Sequence, residues 1–502
     1  MPIQTFPSPK TLDPGFRRDE RRWGGLVAGV AGALLATACA TAPSDRVAYG
    51  AFQAERDTPT ASVLVWSTDA GQVEWSSADG ARGLPVLLKD NIETRDMPTT
   101  AGSLALIANA PGRDAPLVAR LREAGAIILG KTNLSEWANI RSSNSISGWS
   151  AVGGQTRNPY DPERTPCGSS AGSAVAVAIG LAPAAIGTET NGSITCPASV
   201  NGVVGFKPTV GLVSRTHIVP ISHSQDTAGP IATTVEDAAI VLTVIAGSDP
   251  ADPATVEADA RKVDYRAALD PEALNGARIG VLRYATNYSE PTLAVFEQSL
   301  QALRDAGAVL VDVTEAPDLR AISSDSFKVL MYELKADLNA YLASTDPRQV
   351  PTRTLEDLIA FNAATPAETV LFGQELFERA QATTSLDDPD YIAARANSFR
   401  LAGPEGIDRM MTEHDVVALI APTTSRAWTN DRDDDDNAQG STSSIAAVAG
   451  YPHLTVPMGF DRGMPVGISF IGGKWDDARI LSLGYAYEQR TRARRAPASL
   501  TP

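Results

Sequence analysis

Short apolar runs alternate with stretches of helical periodicity along most of the chain. The runs at 84–88, 126–129 and 184–186 have the length and apolar composition of buried strands. Segments 116–125 and 173–181 repeat apolar or small residues at helical spacing. Such an alternation is typical of an α/β fold in which helices pack on a mixed sheet.

The pattern changes between Asp249 and about Gly403. A strand pattern at 278–282 is followed by helical segments at 293–306, 327–342, 355–361 and 369–383. Strand patterns return at 416–420, 454–456 and 466–471. Because the chain has no internal repeat and no Gly/Ser-rich linker, we expect one domain over 83–498. The middle segment predicts a helical lid inserted in that domain at about 285–400.

Residues 1–39 have the order of an export leader. Arginines precede an apolar run at 24–35, which ends in small residues before Cys39 and is too short to span a bilayer. We expect an exported protein, periplasmic or attached to the outer membrane only through a lipid on Cys39. Plain cleavage after Ala38 or Ala40 is the alternative. Residues 40–82 are polar and irregular, and we assign them to an N-terminal extension.

Composition narrows the class of function. The chain has 502 residues, of which 43% are hydrophobic, and a formal net charge of −16. This balance is typical of a folded protein and argues against a nucleic-acid partner, because nucleic-acid binders present a basic surface. Cys167 and Cys196 are the cysteines that remain after the leader. Export permits one bond between them, but we expect buried free thiols.

One motif matches a phosphate-binding loop letter for letter but lies in the wrong context. The middle residues of that motif must form a loop, whereas in 125–132 they are the predicted strand 126–129. The acidic run 431–437 lacks the glycine and the closing glutamate of a calcium loop, and we assign it to solvated loop. The cysteines and histidines show no zinc spacing. We therefore expect no nucleotide, metal or other cofactor.

A second motif, at 168–172, matches the nucleophile elbow of Ser-His-Asp hydrolases, with Ser170 at its centre. That elbow follows directly on an apolar strand. The residues before this one, 155–166, are polar and proline-rich. The downstream histidines, His414 and His453, have no distinctive setting. We expect no histidine-based triad.

A lysine and two serines carry the strongest chemical signal. Lys89 ends an apolar run, and Ser169 and Ser193 lie in glycine-rich turns, which expose backbone N–H groups. Lysine titrates near ~10.4 in water, but burial lowers its pKa and makes it a base. Amide hydrolysis needs such a base, a nucleophile and donors for the oxyanion. The alternative is a Lys89 paired with Asp90 or solvent, and serines that only form turn hydrogen bonds.

Taken together, these residues resemble the amidase signature family over about 83–494. Other stretches that match its pattern are 130–133, 205–209, 226–230 and 465–467. The resemblance implies a single domain in which helices cover both faces of a central mixed sheet. It implies that Lys89 is the base, that Ser169, on a cis peptide, relays the proton, and that Ser193 is the nucleophile. The oxyanion-hole amides would belong to Thr190, Asn191, Gly192 and Ser193.

The chain departs from the usual family pattern at several positions. Cys167 and Ala171 replace glycines of the first serine motif, Asn191 replaces a glycine of the second, and Thr195 stands where arginine is common. The segment before Lys89 is shorter than usual, which puts one wall of the substrate cleft in question.

Within the family, the second serine motif is most similar to that of bacterial peptide amidases, which release ammonia from C-terminally amidated peptides. This similarity implies a small amide or an amidated peptide as substrate. A general aliphatic or aryl amidase and an inactive binding protein of the same fold stay open as alternatives. The amidase component of a tRNA-dependent amidotransferase is disfavoured by the leader and by the acidic charge.

Overall fold

The computed structural model describes residues 47–49, 62–68, 70, 72–285, 287–430 and 440–498. The leader, Cys39 and the acidic run 431–437 lie outside this part of the chain, so what the sequence predicts for them stays a prediction. Among the described helices, none has both the length and the apolar character needed to cross a membrane.

Within the described residues, one mixed sheet of eleven strands forms the centre of the molecule. Its strands in chain order are β1 (Leu64–Ser67), β2 (Pro85–Lys89), β3 (Ile127–Thr132), β4 (Ala184–Glu189), β5 (Val204–Lys207), β6 (Thr227–Ala232), β7 (Arg278–Leu282), β8 (Val309–Val313), β9 (Ala418–Pro422), β10 (His453–Asp461) and β11 (Met464–Ile471). Their order across the sheet is β8-β7-β9-β11-β10-β5-β6-β4-β2-β3-β1. Strand β2 is parallel to β3 and β4, and β7 is parallel to β8 and β9. Two smaller sheets pair Val47–Tyr49 with Val73–Trp75 and Trp149–Ser150 with Gly154–Gln155.

Helices lie on both faces of the sheet. They are α1 (Pro116–Glu123), α2 (Ala171–Ala178), α3 (Thr195–Val200), α4 (Val235–Ile245), α5 (Ala258–Arg261), α6 (Glu290–Asp305), α7 (Leu319–Ser344), α8 (Leu355–Ala364), α9 (Pro366–Thr369), α10 (Glu375–Gln381), α11 (Pro389–Ala402), α12 (Arg409–Glu413), α13 (Ser443–Ala449) and α14 (Asp477–Thr491).

Alternate residues of the central strands supply two separate cores. Val86 and Leu88 pack with α1, α4, α6 and α14, whereas Leu87 packs with α2 and α3. Successive side chains of a strand point to opposite faces, so these helices cover opposite faces of the sheet. This arrangement confirms the α/β class and the mixed sheet covered on both faces.

Small residues let α2 approach the sheet closely. Every residue of α2 is buried, and most are alanine, glycine or serine. A Cβ atom on Gly172 would lie 2.5 Å from the backbone oxygen of Asn133 and 2.7 Å from that of Val63. Glycine is therefore required there, and its close packing fixes the turn that precedes α2 against β3.

The strands predicted at 84–88, 126–129 and 184–186 are confirmed as β2, β3 and β4, whereas β5 and β6 were not predicted. Residues 125–132 do not form a phosphate loop, because β3 begins at Ile127 and includes Gly130 and Lys131. Strand β1, at the edge of the sheet, lies in the segment that we expected to be irregular. Its four residues are too few to show a period against their polar surroundings.

A separate helical layer is confirmed, but the segment predicted for it, about 285–400, needs a correction. Helix α6 packs on the main sheet, and strand β8 pairs with β7 at the edge of that sheet. The layer proper consists of α7 to α11, with an apolar core that includes Leu334, Leu338 and Phe377. The single helix expected at 369–383 is also wrong, because α9 ends at Thr369 and α10 begins at Glu375.

Candidate active site

Segments far apart in sequence meet at one edge of the sheet. Lys89 ends β2 and Glu189 ends β4, and these two strands are parallel neighbours. Carboxyl ends of parallel strands open onto the same edge, where ligands bind in α/β folds. The turn with Ser169 leads into α2, and the turn with Ser193 joins β4 to α3. The fold therefore brings the predicted base and both serine turns to this edge.

Lys89 is a fully buried amine with neutral partners. Its Nζ lies 2.7 Å from Ser169 Oγ, 2.8 Å from Thr188 Oγ1 and 3.3 Å from the Thr188 backbone oxygen. Burial lowers the pKa of Lys89 to about 7, although Asp226 and Glu189 act to raise it. A lysine with this pKa is substantially neutral at physiological pH and can accept a proton from the serine hydroxyl.

Asp90 does not pair with Lys89. The Asp90 carboxylate forms a buried ion pair with Lys131, with Oδ1 and Nζ 3.1 Å apart. Asp90 also accepts hydrogen bonds from the backbone and hydroxyl of Thr100. Because Asp90 is occupied elsewhere, the alternative in which Lys89 serves only as its partner is wrong.

Ser169 is fully buried, and its hydroxyl contacts Lys89 Nζ. The Gly168–Ser169 peptide bond is cis, as the family resemblance implied. The Ser169 carbonyl accepts a hydrogen bond from Ser135 N at 3.0 Å. A Cβ atom on Gly168 would lie 2.2 Å from Ser135 Oγ, so a larger residue before Ser169 would displace the Ser135 side chain.

Ser193 lies in a turn with free backbone donors. Its side chain is half-buried, and Gly192 before it has a φ of 81°, which favours glycine. Within the described residues, Ser193 Oγ has no hydrogen-bond partner. The backbone N–H groups of residues 190–193 likewise have no acceptor in this part of the chain. Four unpaired donors in one turn are suited to bind an oxyanion.

The Glu189 carboxylate anchors the turn that carries Ser193. Sequence reasoning did not assign this role to Glu189. Its Oε2 accepts hydrogen bonds from Ile194 N at 2.8 Å and Thr195 N at 3.0 Å. The carboxylate is buried and lies at the first turn of α3, where negative charge is favourable. An acidic residue six positions before the first residue of a helix is the signal that could have identified this anchor.

Side chains of two residues of the turn, Thr190 and Asn191, also hold it in place. Thr190 Oγ1 donates to Asp226 Oδ1 at 2.5 Å, and burial raises the pKa of Asp226 to about 6. Asn191 Oδ1 accepts from Ser443 Oγ at 2.8 Å, and Asn191 Nδ2 donates to Ser444 Oγ at 3.2 Å. These serines begin α13, so the unusual Asn191 links the turn to a helix that sequence reasoning did not connect with the site.

The cysteines differ from the sequence prediction. Cys167 and Cys196 form a disulfide rather than remaining free thiols. Cys167 lies in the turn before Ser169 and Cys196 in α3 after Ser193, and folding places these segments side by side. The sequence could not reveal this proximity, because it arises only when both turns reach the same edge of the sheet.

Within the described residues, no histidine forms a hydrogen bond with the side chain of Ser169, Ser170 or Ser193. Ser170 Oγ donates to the Thr188 backbone oxygen at 3.1 Å and accepts from Thr188 N at 3.2 Å, which is a structural role. His453 is buried on β10 against Ser469, and burial lowers its pKa to about 3. His414 ends α12. The geometry contradicts a Ser170-centred histidine triad.

One His/carboxylate cluster lies in the described part of the chain. His223 Nδ1 lies 3.0 Å from Asp337 Oδ2, and His223 Nε2 lies 3.2 Å from Glu333 Oε1. The two ring nitrogens face different carboxylates, so the imidazole forms ion pairs with two positions of α7. Hydrogen bonding to Asp337 raises the pKa of His223. This geometry is that of a clamp between α7 and the loop before β6.

A cavity of about 370 Å³ adjoins the site. Its wall includes Thr188 and Thr190, which contact Lys89 and Asp226, and the apolar residues Ile218 and Val219. Mixed apolar and polar lining at this size is typical of small-molecule sites.

Comparisons with known proteins identify the family to which the chain is similar. A family model described as Amidase matches residues 70–481. A probable amidase from Arabidopsis thaliana is 39% identical over 425 residues, which cover 83% of this chain and 78% of that protein. The native peptide amidase from Stenotrophomonas maltophilia is 51% identical with a TM-score of 0.81, covering 89% of this chain and 92% of that chain. A component of a glutamyl-tRNA(Gln) amidotransferase from Chloroflexus aurantiacus is 36% identical over 419 residues, covering 82% of this chain and 83% of that protein.

Fold, site and relatives define the class of the protein as an amide hydrolase. The chain belongs to the amidase signature family. Its structure is similar to that of peptide amidase, including a peptide amidase solved with the competitive inhibitor chymostatin, which is 51% identical with a TM-score of 0.81.

Proposed function

We propose that this amidase releases ammonia from C-terminally amidated peptides, with Lys89 as base, Ser169 as proton relay and Ser193 as nucleophile. The observation that carries the proposal is the 2.7 Å contact between Lys89 Nζ and Ser169 Oγ, both fully buried. A lysine pKa of about 7 supplies the neutral amine that the relay needs.

In the first half of the reaction, Ser193 Oγ attacks the amide carbonyl carbon. Its proton passes to Ser169, whose own proton passes to Lys89 Nζ. The carbonyl oxygen becomes an oxyanion and accepts hydrogen bonds from the free N–H groups of residues 190–193. Lys89 then returns its proton through Ser169 to the leaving nitrogen, the C–N bond breaks, and ammonia departs from an acyl-Ser193 ester.

In the second half, water attacks the ester carbonyl and gives its proton to the same relay. Ser193 leaves as the alcohol when the relay returns that proton, and the peptide departs with a free carboxyl group. Lys89 ends the cycle neutral, as it began, so no external base is required.

Similarity to peptide amidase supports the peptide substrate. The 51% identity to the Stenotrophomonas enzyme extends over 89% of this chain, whereas the matching component of a Thermotoga maritima amidotransferase reaches 29% and a TM-score of 0.64. The acidic charge of −16 also disfavours a tRNA substrate. A general aliphatic or aryl amidase would share the same relay and differ in substrate alone.

A substrate panel tests the proposal. Ammonia or amine release is measured from an amidated peptide, a free amino acid amide and an aryl amide, with Ser193→Ala as control. We expect the highest kcat/KM with the peptide amide and no turnover by Ser193→Ala. Turnover of only the small amides would favour the general amidase. Retained activity in Ser193→Ala would overturn Ser193 as the nucleophile. A folded protein that turns over none of these amides would favour a binding function.

We also propose that the chain is exported and held to a membrane through a lipid on Cys39. The order of the leader supports this proposal, and so does the disulfide, because such bonds persist in oxidising compartments. Cell fractionation of wild type and Cys39→Ser tests it. We expect wild type in the membrane fraction and the variant in the soluble periplasm. A cytoplasmic protein with an intact leader would contradict export.

A further inference from the structure

One covalent bond joins the two segments that carry the serines. Cys167 lies two residues before Ser169, and Cys196 lies three residues after Ser193. The bond holds the Cα atoms of Cys167 and Cys196 6.0 Å apart. Within the described residues, it is the covalent link between the turn of the relay serine and the turn of the nucleophile.

The other links between these segments are single hydrogen bonds. Ser170 N donates to the Ser193 carbonyl at 3.2 Å, and Asn201 Nδ2 donates to the Pro166 carbonyl at 2.8 Å. The anchors of the nucleophile turn, Glu189 and Asn191, hold it to β4 and α13 rather than to the Ser169 turn. Ser170 Oγ also bonds the backbone N–H and carbonyl of Thr188, on the strand that leads into the Ser193 turn. Among these links, the disulfide is the covalent restraint on the distance between the two serines.

Proton relay is sensitive to that distance. Ser193 and Ser169 must come within hydrogen-bond reach during attack, and a displacement of ~1 Å can cost about a hundredfold in rate. Neither cysteine lines the cavity that adjoins the site, so the bond does not contact the residues that we expect to bind substrate. Reduction of the Cys167–Cys196 disulfide should therefore change kcat more than KM.

We propose that the Cys167–Cys196 disulfide is a positioning element of the relay, so that its reduction lowers turnover of the folded enzyme. The inference rests on the proposed function. Cys196 is half-buried and Cys167 is buried, so the thiolate of a dithiol reductant reaches Cys196 Sγ first. That attack releases the Cys167 thiolate, and the second thiol of the reductant then releases Cys196. Two protein thiols form, and the dithiol becomes a cyclic disulfide.

Thiol counting establishes the state of the bond. The chain has three cysteines, so the Cys39→Ser variant leaves only the proposed pair. Denatured without reductant, this variant should show no reactive thiol, and after reduction it should show two. Two reactive thiols before reduction would overturn the proposal at once.

Kinetics then separate positioning from stability. Oxidised and dithiothreitol-reduced Cys39→Ser are compared well below the unfolding temperature of the reduced form. A Cys39→Ser/Cys167→Ser/Cys196→Ser variant controls for effects of the reductant itself. We expect kcat to fall about tenfold on reduction with KM within about twofold, and reoxidation to restore it. The control should be slow with or without dithiothreitol. An unchanged kcat with a lower Tm would show a stabilising bond only, and would overturn the proposal.

A covalent probe keeps this test independent of the substrate. A fluorophosphonate reacts with an activated serine hydroxyl. The rate at which it labels Ser193 therefore measures how well the relay activates that hydroxyl, without any amide substrate. Equal labelling rates in oxidised and reduced protein would overturn the positioning role. No labelling of either form would instead overturn the proposed nucleophile, so the two failures are distinguishable.

Discussion

Lys89 and Lys131 show how one side-chain type takes two roles on neighbouring strands. Both are fully buried. Burial also lowers the pKa of Lys131, but the Asp90 carboxylate at 3.1 Å acts to raise it and gives Lys131 a structural pairing. Lys89 has hydroxyl and carbonyl partners, since the nearby Glu189 is engaged by the backbone of α3. Burial without an ion pair is what makes Lys89 a base.

The pH dependence of turnover follows from this setting. The Lys89 pKa of about 7 predicts that kcat/KM rises with pH, reaches half its maximum near pH 7 and is lost below as the ammonium forms. A pH profile of ammonia release from about pH 5 to about pH 9 measures the midpoint. A profile flat across this range would contradict a lysine base with this pKa.

Asp226 should set the position of that midpoint. Its carboxylate acts to raise the Lys89 pKa, so Asp226→Asn should move the midpoint to lower pH. Asp237→Asn is the matched control, because Asp237 is also a buried aspartate but lies at the start of α4. The same profile serves as the measurement. A midpoint that stays in place or rises in Asp226→Asn would contradict this electrostatic account.

Removal of the relay hydroxyl should cost rate without abolishing it. Ser169→Ala deletes the group between Ser193 and Lys89, and general acid–base transfer is worth roughly 10² to 10⁴ in rate. We expect kcat lower by about that factor with KM little changed. Ser173→Ala is the control, because its hydroxyl bonds Thr132 Oγ1 and the Ile186 carbonyl instead of Lys89. An equal loss in both variants would indicate a folding effect instead.

At the level of elements, the nucleophile turn is fixed by contacts with two other parts of the chain. Glu189 anchors it to the sheet, and Asn191 ties it to the first residues of α13. Free N–H groups stabilise an oxyanion only if they are held in position before the charge forms. Asn191 supplies side-chain bonds where the usual glycine supplies none.

A double-mutant cycle tests the tie between the turn and α13. Asn191→Ala and Ser443→Ala each break the 2.8 Å hydrogen bond, so each should lower kcat and the double variant should add little. We expect a coupling of ~1 kcal/mol in transition-state free energy, the usual worth of such a bond. Strict additivity would show that the contact does not position the turn.

A buried ion cluster joins the helical layer to the core. Arg141 is fully buried, with its Nε 3.1 Å from Glu136 Oε1, and its Nη1 donates to the Glu368 carbonyl. Its guanidinium carbon lies 4.2 Å from the centre of the Phe372 ring. Glu368 and Phe372 belong to the segment from α9 to α10, so one cation ties that segment to the chain around Glu136.

Loss of this cation should destabilise the protein. Arg141→Ala removes the cation beside the buried Glu136 and Glu368 carboxylates. Loss of one partner of a buried ion pair typically costs about 3–5 kcal/mol. Urea unfolding measures the change. Arg348→Ala is the control, since Arg348 pairs with Asp346 at the surface and should leave the midpoint unchanged. Equal urea-unfolding midpoints for Arg141→Ala and Arg348→Ala would contradict a stabilising role of the ion cluster.

At the scale of the whole molecule, the sequence predicted the features that depend on the local pattern of residues. The central strands are buried on both faces and appear as apolar runs, and the lysine and serine motifs carry their own glycines and apolar neighbours. The edge strand β1 was missed because its pattern is weak. The central strands β5 and β6 were also missed, because both contain glycine and β6 contains proline, which weaken a strand pattern. Strand β8, at the other edge of the sheet, lies within the range that we assigned to the helical lid.

Contacts between distant segments could not be predicted from one sequence. The Asn191–Ser443 bond spans 252 positions, and the Glu368–Leu104 bond spans 264. The disulfide depends on the packing of α2 and α3 on the same face of the sheet. Motifs thus identified the reacting groups, whereas the supports that hold them required the fold.

The site of covalent attachment tests the central claim most directly. The protein is incubated with a peptidyl fluorophosphonate, digested, and analysed by mass spectrometry, with ammonia release followed in parallel. The account predicts one adduct, on Ser193, complete loss of activity when it is formed, and no adduct in Ser193→Ala. An adduct on Ser169 or Ser170, or full ammonia release from protein labelled at Ser193, would contradict it.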